Sequence, residues 1–399
     1  MQTFSFTHKT KSAILALGAE SAGNFSVYVD GQIHFSDDFG DLLLPENFAR
    51  YQKELANFLR EKKIKPDIIL TDLHPDYQTT ELGKILAKKY KAKHIQVQHH
   101  IAHIFSQILN FTTILNSKLE IRNYFYGIAL DGTGYGTDGK IWGGECFKFL
   151  MTNDEFRINR IGHLENQIMI GGELAVKEPT RMIISILSKF LSKNKIYNLI
   201  KNHSRNHGRE LVSNFGKIYS KTEFEILYNQ LNQNFNCVET SSTGRILDAV
   251  AVLLGFANNE RKFKHEAASL LEKNSTIPYK DLHPKITPLA KEGIKGGSSI
   301  YILNTTYLFE YLIKNLHKDK KRLAATAQLY LAQGLQEIIN LQSATSSTQI
   351  ILSGGISNNK IISKYFENKK PGSSVEMPGI PRGDAGLSFG QILFQLFAE

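Results

Sequence analysis

The stretch Ile128–Gly136, Ile-Ala-Leu-Asp-Gly-Thr-Gly-Tyr-Gly, constrains the fold more than any other part of the chain. A short apolar strand, predicted over residues 124–130, runs into three alternating glycines, which lack a Cβ and would let the backbone turn sharply beside a ligand. Backbone N–H groups in such a turn suit phosphate oxygens. A second strand over residues 140–150 would complete a hairpin. Taken alone, the pattern fits a hairpin without a ligand equally well, because short glycine motifs are common.

The same pattern occurs near the start of the chain. Residues 14–20, Ile-Leu-Ala-Leu-Gly-Ala-Glu, again combine an apolar strand with a glycine and a carboxylate. The turn Asp30-Gly31 in this copy corresponds to Asp138-Gly139 in the second. This self-similarity predicts two related halves, each opening with a hairpin of the phosphate-binding type.

Between and after the two copies, apolar strands alternate with amphipathic helices, for example the helix predicted over residues 45–60 and the strand over residues 67–73. This alternation predicts an α/β fold with parallel strand pairing. Residues 171–275 show long helical periodicity and are predicted to be a helical insertion, whereas residues 284–299 are predicted to be a loop. A chain of 399 residues is long enough for two substantial domains.

Composition narrows the functional classes. The net charge of +10 comes from scattered lysines without interleaved aromatic residues, so it indicates a solvated surface, and no nucleic-acid partner is expected. The sequence contains no run of about 18 apolar residues and no secretory leader pattern, so no membrane association is expected. Cys146 and Cys237 are the only cysteines, which fits a reducing cytoplasm and provides no disulfide framework.

A candidate metal site comes from four residues. His99 and His103 stand four positions apart in a predicted helix over residues 99–115, so they share a face and can bind one ion. Asp131 ends the central strand, and Asp384 precedes the last predicted helix. A mixed set of imidazoles and carboxylates suits a divalent metal, with iron or zinc favoured and magnesium as an alternative.

Polar residues at other strand ends are further candidates, because α/β proteins bind ligands at the carboxyl ends of their strands. Asp72, His74 and Asp76 follow one strand, although turn capping explains them at least as well. Gly354-Gly355 lies between a buried strand and a helix, where a phosphate or ribose could bind. Arg245 and Asp248 are three apart on a helix and could simply pair.

Ten segments of the sequence form one ordered set of motifs that extends over nearly the whole chain. They are residues 15–20, 72–77, 97–103, 129–139, 141–145, 178–182, 241–245, 248–251, 352–355 with Asn359, and 383–386. No single motif is specific, but their combination and order are. Together they resemble one family, the C-terminal carbamoyltransferase domain of the hydrogenase maturation protein HypF, which is related to TsaD.

The resemblance implies a duplicated actin/chaperone/sugar-kinase-like fold with a nucleotide in the cleft between two α/β halves. We expect the first half over residues 1–120 and the second, with its helical insertion, over residues 121–399. In this family the domain passes a carbamoyl group from carbamoyl-adenylate to an acceptor, and in HypF that acceptor is the C-terminal cysteine of HypE. The other HypF modules find no match here, so the chain is expected to be a stand-alone or truncated form that depends on a separate YrdC-like protein for carbamoyl-adenylate.

The proposed site assigns a role to each candidate. His99, His103, Asp131 and Asp384 hold the metal, and the nucleotide is ATP, AMP or carbamoyl-adenylate. Phosphate is assigned to Gly132, Thr133 and Gly134, and ribose and adenine to Gly171, Gly172, Glu173, Gly354, Gly355 and Asn359. No general base stands out, and His74 and Lys177 are the two candidates.

The sequence departs from the family in ways that leave the acceptor open. Phe263-Lys-His-Glu266 stands where the family usually has Tyr-Glu-Gly-Gln, and Leu329-Tyr330 stands where a Phe-His pair is usual. Ile101 within the histidine run and the longer acid Glu173 are smaller changes. Two alternatives therefore remain beside transfer to HypE: an O-carbamoyltransferase of a small hydroxyl substrate, and a non-catalytic nucleotide-binding partner of a full-length HypF.

Overall fold

A computed structural model describes most of the chain. The described residues are 1–6, 8, 10–108, 124–151, 156–203, 219–289, 299–343, 350–369 and 377–399. The helix predicted over residues 99–115 is observed as His99–Ser106, and its predicted end lies outside the described residues. Residues 375–377, Val-Glu-Met, are also predicted by their sequence to form a short strand, and residues 375 and 376 lie outside the described part of the chain.

The first half of the chain forms a six-stranded sheet in the order β1-β4-β3-β2-β5-β6. Its strands are β1 (Gln2–Ser5), β2 (Ile14–Ala16), β3 (Ser26–Val29), β4 (Gln32–Phe35), β5 (Ile68–Asp72) and β6 (Lys93–Val97). Three helices accompany them: α1 (Pro45–Glu61), α2 (Gln78–Tyr90) and α3 (His99–Ser106). In α1, the proline at the start pre-sets the helical φ angle, and Tyr51, Leu55 and Leu59 form the buried face.

The second half is built on an eight-stranded sheet. Its strands are β7 (Tyr124–Tyr135), β8 (Ile141–Met151), β9 (Phe156–Leu164), β10 (Gln167–Ile170), β11 (Cys237–Thr240), β12 (Ile286–Pro288), β13 (Tyr301–Leu303) and β14 (Ile350–Ser353). The helices described in this half are α4 (Leu174–Lys177), α5 (Thr180–Ser188), α6 (Lys193–His203), α7 (Lys221–Asn232), α8 (Thr243–Leu254), α9 (Glu266–Lys273), α10 (Thr305–Lys314), α11 (Lys320–Gln342), α12 (Lys360–Lys369) and α13 (Leu387–Ala398). No described helix is both long and apolar enough to cross a bilayer.

The two sheets share one strand arrangement, which confirms the predicted duplication. In the first, the order β4-β3-β2-β5 places an antiparallel hairpin beside a parallel neighbour. In the second, β9-β8-β7-β14 repeats the same order and the same directions. The fold is therefore α/β with two related halves, as predicted, while the boundary between residues 120 and 121 stays a prediction.

One hydrophobic core joins the two halves. It contains residues of β2, of α3, of β7 and of the last helix, α13. Close packing of α13 on α3 requires a glycine, because a Cβ at Gly390 would collide with the carbonyl oxygen of Ala102. Since α13 begins three residues after Asp384, this contact brings a late part of the chain to the first half.

Two intervals contain a strand that the sequence did not predict. The interval predicted as a helical insertion is mostly helical but also contains β11, which pairs with β10 and with β8. The interval predicted as a loop, residues 284–299, contains β12. Both strands are only three or four residues long, so their sequences carry little periodic signal.

The prediction that the central glycines form a turn is wrong. Strand β7 continues to Tyr135, with a bulge between Leu130 and Gly134, and the chain turns later, where Gly139 has φ of +75°. The bulge places three residues, 131–133, opposite a single residue of β8. It therefore frees this stretch of backbone from the regular ladder.

Candidate metal and nucleotide site

The four predicted metal ligands converge. His99 and His103 lie on α3, Asp131 lies in the bulge of β7, and Asp384 lies in the turn before α13. One ligand atom from each residue can be chosen so that all four atoms lie within 4.8 Å of one another. The two imidazoles and Asp131 are buried, and Asp384 is partly buried.

Local structure fixes the start of α3 and hence its histidine face. The side chain of Gln98 accepts a hydrogen bond from the Ile101 backbone N–H, which caps the helix. His99 and His103 then stand one helical turn apart on the same face. His100 lies on a different face of the helix, and its Nδ1 lies 2.9 Å from the Gln98 side-chain amide.

Asp72, on β5, orients His99. Its Oδ2 lies 2.7 Å from Nδ1 of His99, so Nε2 of this imidazole faces Asp131 at 3.2 Å and Asp384 at 3.7 Å. Burial lowers the pKa of His99, but the charge of Asp72 and the contacts of the imidazole with the three carboxylates outweigh it and hold the pKa well above its usual value. The sequence predicted Asp72 as a strand-end residue near a bound ligand, and its observed position makes it the hydrogen-bond partner of a proposed metal ligand, His99.

His103 lacks an equivalent partner among the described residues. Its Nε2 lies 3.4 Å from Asp384 and 3.7 Å from Asp131, and neither ring nitrogen makes a hydrogen bond within the described part of the chain. An orphaned nitrogen on a fully buried imidazole is costly unless something binds it. The cluster thus combines two imidazoles and two carboxylates, and the unpaired Nε2 of His103 faces both carboxylates. This set of donor atoms fits a divalent transition metal.

The carboxylates remain charged in this setting. Burial raises the pKa of Asp131, but its contacts with the imidazoles of His103 and His99 reverse this and hold the pKa well below its usual value. For Asp384, burial and the charge of Asp131 both raise the pKa, and its contacts with His103 and His99 still bring it below the usual range. The cluster therefore offers two anionic ligands.

The glycines around the cluster have distinct functions. A Cβ at Gly134 would lie 2.8 Å from Cδ2 of His99 and would also collide with His100, so this glycine allows the imidazoles to pack. Among the described residues, a Cβ at Gly132 would meet only the Arg245 guanidinium, at 3.8 Å. Gly132 and the exposed Thr133 therefore border open space beside Asp131.

The Gly354-Gly355 pair also lies against the cluster. A Cβ at Gly355 would lie 3.5 Å from Oδ1 of Asp131, and Gly354 has φ of +90° and packs against the Leu130 backbone. The Gly354 N–H donates to the carbonyl of Arg382, which fixes the approach of the two loops. The structure thus gathers these two glycines with Gly132 and Thr133.

The other predicted nucleotide residues make local contacts in two further turns. Gly171 and Gly172 have φ of +81° and +58° in the turn after β10, followed by the exposed Glu173. This turn packs on the chain near Asn236. Asn359 caps α12, accepting from two backbone N–H groups while its Nδ2 donates to Gln328, so its polar atoms already have partners.

The two candidate bases occupy different places. His74 is half-buried, stacks on Tyr77 at 4.2 Å and donates its backbone N–H to Asp72. It therefore lies next to the carboxylate that orients His99. Lys177 is exposed, and its carbonyl accepts the backbone N–H of Arg261.

Sequence reasoning missed a basic group at the cluster. Lys264 Nζ lies 3.9 Å from Oδ2 of Asp384, and Arg261 lies on the same loop. His265 adopts φ of +65°, a conformation suited to glycine, at the position where the resembled family usually has glycine. The departure of residues 263–266 from the family pattern was the one feature of the sequence that could have indicated this basic group.

Comparison with known proteins identifies the family. The family described as "Carbamoyltransferase, Kae1-like Domain, second subdomain" matches residues 127–391, and the "HypF Kae1-like domain" matches residues 9–110. The chain belongs to the HypF carbamoyltransferase family. The probable carbamoyltransferase HypF of Methanocaldococcus jannaschii is 34% identical over 390 residues, covering 95% of this chain and 45% of that protein.

Other HypF relatives agree. A carbamoyltransferase HypF homolog of Cupriavidus necator is 26% identical over 95% of this chain and 90% of its own length. The crystal structure of T. kodakarensis HypF matches 99% of this chain and 49% of that one, with a TM-score of 0.78 and 28% identity. A full-length HypF in a phosphate- and nucleotide-bound form has the same fold, with a TM-score of 0.81 and 24% identity over 99% of this chain and 47% of that one. The chain spans about half the length of most of these HypF proteins.

Proposed function

We propose that this chain transfers a carbamoyl group from carbamoyl-adenylate to a thiolate, with AMP as the leaving group. The thiolate is the C-terminal cysteine of a HypE-like acceptor protein in NiFe hydrogenase maturation. The observation that carries the proposal is the convergence of His99, His103, Asp131 and Asp384 beside the β7 bulge in a member of the HypF family.

The transfer is a substitution at the carbamoyl carbon. The thiolate sulfur forms a bond to this carbon, the bond from the carbon to the phosphate oxygen breaks, and AMP leaves with the electron pair. A divalent metal held by the four-residue cluster would supply a Lewis acid for oxygens that gain negative charge. The two aspartates keep their charge and the Asp72–His99 contact keeps one Nε2 directed inward, so the protein holds these ligand atoms ready.

The surrounding residues are assigned to binding. We place the nucleotide phosphate against the backbone of Gly132 and Thr133, which the bulge frees from β8, and against the Gly354-Gly355 turn. Gly134 acts indirectly, by admitting the imidazoles. Gly171–Glu173 and Asn359 remain assigned to ribose and adenine. His74 is the better placed of the two candidate bases because it adjoins Asp72.

The partners follow from the chemistry. Carbamoyl-adenylate is a reactive mixed anhydride, and we propose that a separate YrdC-like protein makes it and delivers it to this chain. Added carbamoyl phosphate and ATP should then give no product with the purified chain alone.

A transfer assay tests the proposal. The chain is incubated with carbamoyl-adenylate and either a HypE-like protein or small hydroxyl acceptors, and products are followed by mass spectrometry and AMP release. Carbamoylation of the C-terminal cysteine supports the proposal, and the His103→Ala variant is the inactive control. Modification of a hydroxyl substrate alone would replace the thiol assignment by O-carbamoyl transfer.

One observation favours the non-catalytic alternative. The ammonium group of Lys264 lies 3.9 Å from Asp384, so a positive charge of the protein already neighbours one proposed metal ligand. Such a charge opposes a divalent ion there. If the wild-type chain binds AMP but holds no metal and modifies no acceptor, while Lys264→Glu gains metal, a regulatory partner of a complete HypF becomes the preferred function.

A further inference from the structure

A second charged cluster lies next to the proposed transfer site. Oδ2 of Asp248, on α8, forms ion pairs with Nη2 of Arg245 at 2.7 Å and with Nη1 of Arg261 at 3.5 Å. One carboxylate thus serves two guanidinium groups, which leaves one excess positive charge. In the part of the chain that the structure describes, Nε of Arg245 is buried and has no hydrogen-bond partner.

The position of Arg245 directs this charge toward the β7 bulge. Arg245 lies in the first turn of α8, which Ser242 caps, and a Cβ at Gly132 would lie 3.8 Å from its Nη2. The helix start is tied to the bulge, because the Ser242 hydroxyl donates to the Gly132 carbonyl at 2.6 Å. The amino end of a twelve-residue helix adds a partial positive charge at the same place.

Arg261 extends the basic surface toward the four-residue cluster. It is followed three positions later by Lys264, which reaches Asp384, and three residues span at most about 11 Å. Burial and then the repulsion of Arg245 lower the pKa of Arg261, and the carboxylates of Asp248 and Glu266 oppose this shift. The nearby Glu266 carboxylate accepts a bond from the Lys262 N–H at 2.6 Å.

We propose that Arg245 and Arg261 form an oxyanion-binding subsite beside Gly132, which positions one reactant of the transfer. Guanidinium groups bind phosphate and carboxylate oxygens through paired N–H donors. Two reactants in the proposed function carry such oxygens close to the reacting atoms: the adenylate, through its phosphate, and an acceptor ending in cysteine, through its terminal carboxylate. The identity of these ligands rests on the proposed function, but the preference for an oxyanion does not.

Equilibrium binding tests the subsite without turnover. Calorimetry compares AMP with adenosine, and fluorescence anisotropy compares a labelled acceptor peptide ending in a free carboxylate with its C-terminal amide. We expect the chain to prefer the anionic member of at least one pair, and Arg261→Gln to reduce that preference about tenfold or more without changing binding of the neutral member. Arg261→Lys should restore part of the preference because it keeps the charge.

Lys262→Gln is the matched control, since it removes one positive charge from the same loop and should leave both preferences unchanged. Thermal unfolding and metal content of each variant verify that the fold and the four-residue cluster are intact. If the preference for AMP over adenosine is lost, the subsite binds phosphate. If the preference for the peptide with a free carboxylate over its amide is lost, the subsite binds the terminal carboxylate. Unchanged preferences for both pairs in a folded Arg261→Gln protein would overturn the subsite. A lost preference without any carbamoyl transfer would instead retain the subsite and reject the proposed function.

Discussion

The carboxylate of Asp72 lies 2.7 Å from Nδ1 of His99, and both side chains are buried. This contact directs Nε2 of His99 toward Asp131 and Asp384, because a histidine that donates through Nδ1 presents the lone pair of Nε2. Asp72 is the last residue of β5, and His99 begins α3, which follows the adjacent parallel strand β6. The pairing of these two strands thus places Asp72 where it orients a proposed metal ligand.

Replacing Asp72 by Asn should weaken metal binding. The amide keeps the size of the side chain but removes the negative charge that fixes the imidazole, and loss of such a partner typically reduces metal affinity about 10- to 100-fold. Metal affinity by competition with a chelator measures the effect. Asp76→Asn, at an exposed position of the same loop, should leave the affinity unchanged. Equal affinities for Asp72→Asn and wild type would show that this contact has no role in binding.

His103→Ala should remove the metal. The buried Nε2 lies within 3.7 Å of both cluster aspartates, and the truncated side chain offers no ligand atom there. Elemental analysis of purified protein should show metal in the wild type and in His283→Ala, an exposed control, but little in His103→Ala. Full occupancy in the His103 variant would reject the four-residue site.

Gly134→Ala should destabilise the protein and disturb the metal site. The added methyl would lie 2.8 Å from the ring of His99 and would also press against His100, and such overpacking typically costs about 1–3 kcal/mol. Gly132→Ala is the matched control for stability, since its methyl would lie 3.8 Å from the nearest atom. Urea unfolding of both variants measures the difference, and equal stabilities would contradict the packing explanation.

Acid should destabilise the protein through Glu145. This buried carboxylate receives Nε of Arg160 at 2.6 Å; burial raises its pKa, but Arg160 and neighbouring histidines lower it to about 2, below the ordinary 4.5. Its charged form therefore stabilises the fold above pH 4.5, and this contribution, about 3 kcal/mol, is lost as the pH falls from 4.5 toward 2.

Glu145→Gln isolates this contribution. The variant should be less stable than wild type at pH 7, because Arg160 is left without its charged partner, and the difference should shrink as the pH approaches 2. The free energy of unfolding in urea, measured across this range, gives the comparison. Glu54→Gln, exposed on α1, should follow the wild-type curve. A constant difference between Glu145→Gln and wild type at all pH values would assign the pH dependence to other groups.

Local periodicity predicted most of the regular elements. The helix predicted over residues 45–60 is Pro45–Glu61, because a proline start and an apolar residue at every fourth position are signals within one segment. The glycines of β7 were misinterpreted for the opposite reason. Their spacing matched a turn, but Gly134 is needed by side chains of another element, His99 and His100, which no local pattern records.

The basic groups near the cluster were missed for a related reason. Arg245 and Asp248 pair as their spacing predicted, but nothing in either segment shows that Arg261 shares the same carboxylate or that Lys264 reaches Asp384. These contacts depend on how the loop after α8 lies across the site.

By itself, the sequence determined the duplicated α/β fold, the family and the four candidate metal ligands, because strand and helix periods, motif order and residue chemistry are all local properties. Only the tertiary structure decided that the four ligand atoms meet within 4.8 Å and that Asp72 orients one of them. Asp384 reaches the histidines because α13 packs closely on α3 at Gly390, and such a contact between distant segments depends on the shape of the whole core.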